Sequence, residues 1–256
     1  MILVPLGFMI SLGYHAWLWH KVKTQPLSTI IGTNSTARRF WVSAIIKVQS
    51  GLQWHLNLSC IVRSESVISS SLVKYKLQDN EKKNIIAIQT IRNTIMGGTL
   101  MATTSIMICC GLAAVISSTY SIKKPISDSI YGAHGELTLA LKYITLLTVF
   151  LFSFLCYSLS IRFLNQVNIL INTPVNDPAN PATPDYISDL LEKGFTVNTI
   201  GNRLFYVGLP ILLWISGPLL VFLCSIVIVL ILYNLDFVAL SQVDPKMWMD
   251  MEMGSD

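Results

Sequence analysis

A chain of 256 residues that is 52% hydrophobic and only 12% charged, with a mean hydropathy of +0.57, is excluded from the ordinary soluble class, where roughly 25% of residues are charged. The net charge of +4 is unevenly placed: residues 20–94 hold eleven Lys/Arg against three Asp/Glu, and the remainder seven against eleven. A basic loop beside apolar runs reads as a topology signal and an anionic-lipid contact. No aromatic–basic alternation accompanies it, so no nucleic-acid partner is expected.

The first span runs over about 2–20, close to the ~20 residues needed to cross hydrocarbon. It lacks a basic leader and ends in Tyr14, Trp17, Trp19 and His20 before Lys21 and Lys23, so it reads as retained rather than cleaved. Residues 33–47 predict a short interfacial helix, with Asn34 or Ser35 as cap and Arg38 and Arg39 beside Phe40 and Trp41. The serine-rich block 48–78 has no clear helical or strand period. A helix then starts at Asp79 or Asn80 and runs into the second span, about 95–120.

Within that span Gly98, Ala102, Ser105, Cys109, Ala113 and Ser117 recur every three or four residues, a stripe of small residues suited to close helix packing. The third span covers about 136–164. Residues 172–186 hold four prolines and predict an extended loop. After it, Ile187, Leu190, Leu191 and Phe195 predict a short amphipathic helix lying on the membrane or on the bundle, with Gly194 as a candidate C-cap. The fourth span covers about 205–233, and its Gly208, Pro210, Gly217 and Pro218 predict a single bent helix. Residues 238–256 form an acidic tail.

The fold class is therefore all-α: a multi-pass membrane protein with four transmembrane helices and short interfacial helices in its cytosolic loops. Lysine and arginine counts put both large loops in the cytosol and both termini outside.

Ionisable groups in or beside spans are candidates for a polar pathway, because burying them is costly. These are His15, His134, Glu136 and Lys142. His15 and His134 fall at opposite faces of the bilayer, which argues against one haem or ion bridging them; hydrogen-bonded or interfacial histidines are the plainer reading. Glu136 and Lys142 lie six residues apart, on different faces of a helix, so each needs a partner elsewhere. Arg38, Arg39, Arg162 and Arg203 are candidate lipid-headgroup contacts, and capping is the plainer role for Arg162. The five cysteines form no CxxC pair, and nucleophile, metal and dinucleotide motifs are missing. No cofactor is expected.

The segments ILVPLGFMISLGYHAWLWHKVKTQP, KKNIIAIQTIRNTIMGGTLMATTS, SSTYSIKKP, YGAHGELTLALKY, FLFSFLCYSLSIRFLNQVNILINTP and GNRLFYVGLPILLWISGPLLVFLCS resemble plant membrane proteins of the domain-of-unknown-function family 599. The resemblance implies a plant multi-pass protein of the plasma membrane or endomembranes, without an established activity. In relatives the stretch resembling WVSAIIK continues directly into one resembling DNEKKN, whereas here the 31 residues of 48–78 intervene. Valine codons begin GT and one glutamine codon ends AG, so two readings stand: an intron translated in frame, or a lineage-specific loop. Relatives also tend to begin a few residues earlier, which makes a truncated start at Met1 an expectation.

The functional expectation is a non-enzymatic structural, adaptor or lipid-interacting protein, partnered by the bilayer, by anionic lipids, and by a second copy or another membrane protein. The alternatives are a subunit of an ion or solute transporter or channel, and a membrane redox protein.

Overall fold

A computed structural model describes residues 3–61, 67–123, 133–171, 183–215 and 217–237, with side chains described at 3–46, 85–118, 139–171, 183–215 and 217–237. The described residues form six α-helices: α1 (Leu3–Thr24), α2 (Ile30–Ile61), α3 (Val67–Lys123), α4 (Ala133–Ile171), α5 (Pro184–Leu213) and α6 (Pro218–Asp236). The extended loop expected over 172–186 and the tail 238–256 lie largely or wholly outside these residues.

Prolines set the punctuation. None occurs between Pro26 and Pro125, so nothing in that stretch lacks an N–H to donate or clashes with the preceding turn. The helices there are correspondingly long: α2 has 32 residues and α3 has 57. The block 48–78 is helical wherever its backbone is described, although its side-chain pattern carries no period. The expected cap at Asn34 or Ser35 is corrected, because α2 has already begun at Ile30. Thr29 caps it instead, its buried hydroxyl accepting from the Gly32 N–H at 3.3 Å and donating to the Pro26 carbonyl at 2.8 Å. At α5, Thr183 accepts from the Tyr186 N–H at 3.3 Å, with Pro184 at the first helical position and Asp185 in the first turn.

Helices α3, α4 and α5 stand antiparallel in sequence. On the α3–α4 seam Gly98 faces Ile161 and the Cys109 thiol lies 3.8 Å from the Leu147 carbonyl. On the α4–α5 seam Gly194 faces Leu164, Gly201 faces Tyr157 and Gly208 faces Phe150. Helix α6 folds back along α5, since Asp236 pairs with Arg203 and Tyr206 packs with Ile228 and Val229 against Leu232. Helix α1 runs parallel to α6: Gly7 meets Ser225, Tyr14 meets Asp236, and an antiparallel bridge joins Thr29 to Phe237.

Two expectations are corrected here. The stretch 205–233 is not one bent span. Helix α5 passes through Pro210 to Leu213, a turn follows at 214–215, and α6 starts at Pro218 and runs back. Pro210 removes one donor without ending the helix, whereas Gly217–Pro218 forces extended backbone ahead of the ring. As a result Leu3 and Phe237 lie at opposite ends of the α1–α6 pair. Second, the two short loop helices are parts of longer ones, α2 and α5. The segment after Ile187 is the first half of a 30-residue helix, and Gly194 sits inside it rather than capping it. The start of α2 runs along that half, with Arg38 bound to Glu192.

Among the described residues three helices are long and apolar enough to cross a membrane: Ile85–Ser118, Leu139–Ile171 and Pro218–Asp236. Helix α1 has the length, but Tyr14, His15 and His20 dilute its apolar character. Beyond the most apolar stretches, α2 joins the near ends of α3, α4 and α5 around a separate core that includes Val42, Ile46, Ala87, Ile91, Val167, Ile187 and Leu191.

Candidate functional site: a buried charged junction of three helices

Asp236 is the last residue of α6, where the helix already carries partial negative charge. A carboxylate there is unfavourable unless donors face it. Two do. The Tyr14 hydroxyl of α1 donates to Oδ2 at 2.5 Å, and the Arg203 guanidinium of α5 donates through Nη2 to Oδ1. The Asp236 side chain is 6% exposed and that of Arg203 is 18%. The second terminal nitrogen of Arg203, Nη1, is buried without a hydrogen-bond partner.

Aromatic rings border the junction. Trp17 stacks on Tyr233 with centroids 6.1 Å apart and lies 5.1 Å from Phe237. Trp17 and Tyr233 remain half exposed. Half-exposed aromatics beside charges are the profile of a membrane–water boundary. Chemically, a carboxylate shared by a phenol and a guanidinium is a clamp: it ties α1, α5 and α6 together at one level.

The residues singled out from sequence are scattered around this junction. His15 follows Tyr14, its ring 5.5 Å away edge-on; Nδ1 donates to the Ser11 carbonyl at 2.7 Å and Nε2 is buried without a partner. His134 and Glu136 lie in the first turn of α4, with side chains outside those described. The Lys142 ammonium sits over the Trp214 ring, 4.6 Å from its centroid, at the far end of α5. Of the four arginines, Arg39 and Arg162 are exposed. Arg38 forks onto Glu192 at 3.0–3.1 Å and covers Phe195, and Arg203 belongs to the junction. In the small-residue stripe Gly98, Ala102, Ser105 and Cys109 are buried, while Ala113 and Ser117 are exposed. No group of three or more His, Cys, Asp or Glu that could hold a metal occurs among the described residues.

Sequence reading missed the tightest seam. On α5 Gly194, Gly201 and Gly208 recur every seven residues, and an added Cβ at each would meet α4 side chains at 2.9–3.3 Å. Facing them, Ser153 donates to the Gly201 carbonyl at 3.0 Å, Tyr157 to Asn202 Oδ1 at 2.7 Å, and Ser160 to the Gly194 carbonyl at 2.8 Å. The signal was legible: polar residues spaced four and three apart inside an apolar span, opposite a seven-residue glycine repeat. Tyr157→Phe should cost about 1 kcal/mol, the net worth of a typical hydrogen bond, and leave Asn202 less ordered. Thermal melting of the purified protein measures it.

The fold defines an all-α protein with several helices of membrane-crossing length, sealed by close small-residue and polar packing. The chain belongs to the family described as Protein of unknown function, DUF599, whose model matches residues 2–76 and 73–240. No curated protein and no solved structure matches it.

Proposed function

We propose that this is a non-enzymatic integral membrane protein that acts as an adaptor, presenting a helical layer beside the bilayer to a partner. The observation that carries this reading is the separate core formed by α2 with the ends of α3, α4 and α5. Three helices continue past their most apolar stretches to build it, and Arg38 pins α2 to α5 through Glu192. Crosslinking in native membranes, with the exposed face of α2 carrying the photoprobe, should capture a discrete partner. Failure to capture one, together with solute flux in liposomes of the purified protein, would replace this reading with the transporter or channel one. That second reading draws its support from Lys142 at the end of the α5–α6 hairpin.

The topology we propose differs from four crossings with both ends outside. Helices α1, α3 and α4 cross, the C-terminal half of α5 enters from the basic side, and α6 returns to it. Thr29 bridged to Phe237, and the Trp17–Tyr233–Phe237 cluster, support a common boundary for the ends of α1 and α6. A glycosylation acceptor placed ahead of α1 should be modified and one placed after Phe237 should not. Modification of both would mean that the hairpin does not form in the membrane. A plant plasma-membrane or endomembrane location follows from the family resemblance and is tested by imaging the tagged chain in plant cells.

A further inference from the structure

The outward face of α2 holds an uncovered patch. Ser35, Thr36, Arg39, Phe40 and Ser43 line a shallow concavity on it. Arg39 is exposed and Phe40 is 60% exposed, while an adjoining face of the same helix buries Val42, Ile45 and Ile46. The Thr36 and Ser43 hydroxyls donate to their own helix, to the Gly32 and Phe40 carbonyls, which leaves the Arg39 guanidinium as the charged donor among the lining residues. A cation beside a bare aromatic ring calls for an occupant that is both acidic and apolar.

The chain itself contains such a segment. Residues 238–256 carry Asp244, Asp250, Glu252 and Asp256 against one Lys246, interleaved with Met247, Trp248, Met249, Met251 and Met253. Its point of departure is fixed, because Phe237 is bridged to Thr29 at the start of α2. Arg39 lies ten residues further along α2, about 15 Å at 1.5 Å per residue. Asp244 to Met253 lie seven to sixteen residues beyond Phe237, an extended reach of about 25 to 55 Å. Reach, charge and apolar character all match.

We propose that the Arg39–Phe40 face of α2 is the docking site for the chain's own acidic, methionine-rich C-terminal segment. Carboxylates of the segment pair with Arg39, and Trp248 and the flanking methionines cover Phe40 with adaptable apolar contacts. The adaptor reading offers this same face of α2 to a partner, so segment and partner would compete for it; the labelling below reads the segment and the crosslinking reads the partner.

The test is maleimide labelling of Ser43→Cys in a full-length chain whose native cysteines are replaced by serine or alanine. It is compared with the same chain ending after Leu240, and with a full-length form carrying Asp244→Lys, Asp250→Lys and Glu252→Lys. The expected result is slow labelling in the full chain and labelling at least tenfold faster in both altered forms, in membranes and in detergent alike. Equal rates in all three forms overturn the proposal. So does protection that vanishes on diluting the protein, which assigns the face to a second copy, or protection that detergent removes whatever the tail, which assigns it to lipid. The charge-reversed form keeps the full length, so the outcome does not hang on the truncated chain folding.

Discussion

Gly32→Ala should abolish recovery of folded protein, the largest effect of a single added methyl group among the described glycines. The position lies in the first turn of α2, directly over the Pro26–Ser28 turn that joins α1 to α2. A Cβ there would fall 2.2 Å from the Pro26 carbonyl oxygen, 2.5 Å from its carbon and 2.9 Å from its Cα. All three are backbone atoms, so no side-chain rotation relieves the clash. The turn is held from both sides, by Thr29 bonding Pro26 and Gly32 and by its bridge to Phe237. Displacing Pro26 therefore pulls on the α1–α6 pair as well. Gly13→Ala is the matched control, because nothing lies within 4 Å of the added atom. There alanine's better helix propensity, worth about 1 kcal/mol, should leave stability unchanged or raised. Size-exclusion profiles of fluorescent fusions measure both, and a Gly32→Ala protein eluting and melting like the parent would contradict the elbow described here.

Much of the architecture was legible in the sequence. Apolar runs and the lack of proline from 27 to 124 dictate long helices, and the continuation of the helix from Asp79 into the apolar run of α3 follows from that. What hydropathy cannot register is direction. The stretch 205–233 is apolar on both arms of a hairpin, so a window averaged across Trp214–Gly217 looks like one span. The reversal depends on Gly217–Pro218 ending one helix and starting the next, whereas Pro210, a stronger suspect by position, is absorbed inside α5. The junction was hidden for another reason. Tyr14, Arg203 and Asp236 are up to 222 residues apart in the chain, and each alone reads as an interfacial aromatic, a headgroup contact or a solvated acid. Only the parallel placement of α1 and α6 brings them together. The glycine repeat of α5 is visible in the sequence, but it marks a seam only once α4 is known to face it.

Breaking the junction from one side should cost more than removing both charges together. Asp236→Leu leaves Arg203 buried with no carboxylate, in a site where its Nη1 already lacks a partner, and it strips Tyr14 of its acceptor. Arg203→Met leaves the Asp236 carboxylate at the negative end of α6 with only a phenol to face it. Losing one member of a buried pair typically costs about 3–5 kcal/mol, because the remaining charge stays desolvated and uncompensated. The double replacement Arg203→Met with Asp236→Leu removes both charges together and should cost less than either single change, about 1–3 kcal/mol, the remainder coming from the buried Tyr14 hydroxyl left without its acceptor. The three variants, with the parent, close a double-mutant cycle, and the expected coupling is large and favourable because the two groups touch. Denaturant melts in detergent supply the energies, and accessibility of a reporter after Phe237 supplies the consequence for the fold. Single variants that free the end of α6 from Thr29 and α1 should make that reporter accessible, and the double variant should restore protection. Additive, small effects at both positions would mean that the clamp contributes little and that apolar packing of Leu18 and Leu232 alone holds α1 to α6.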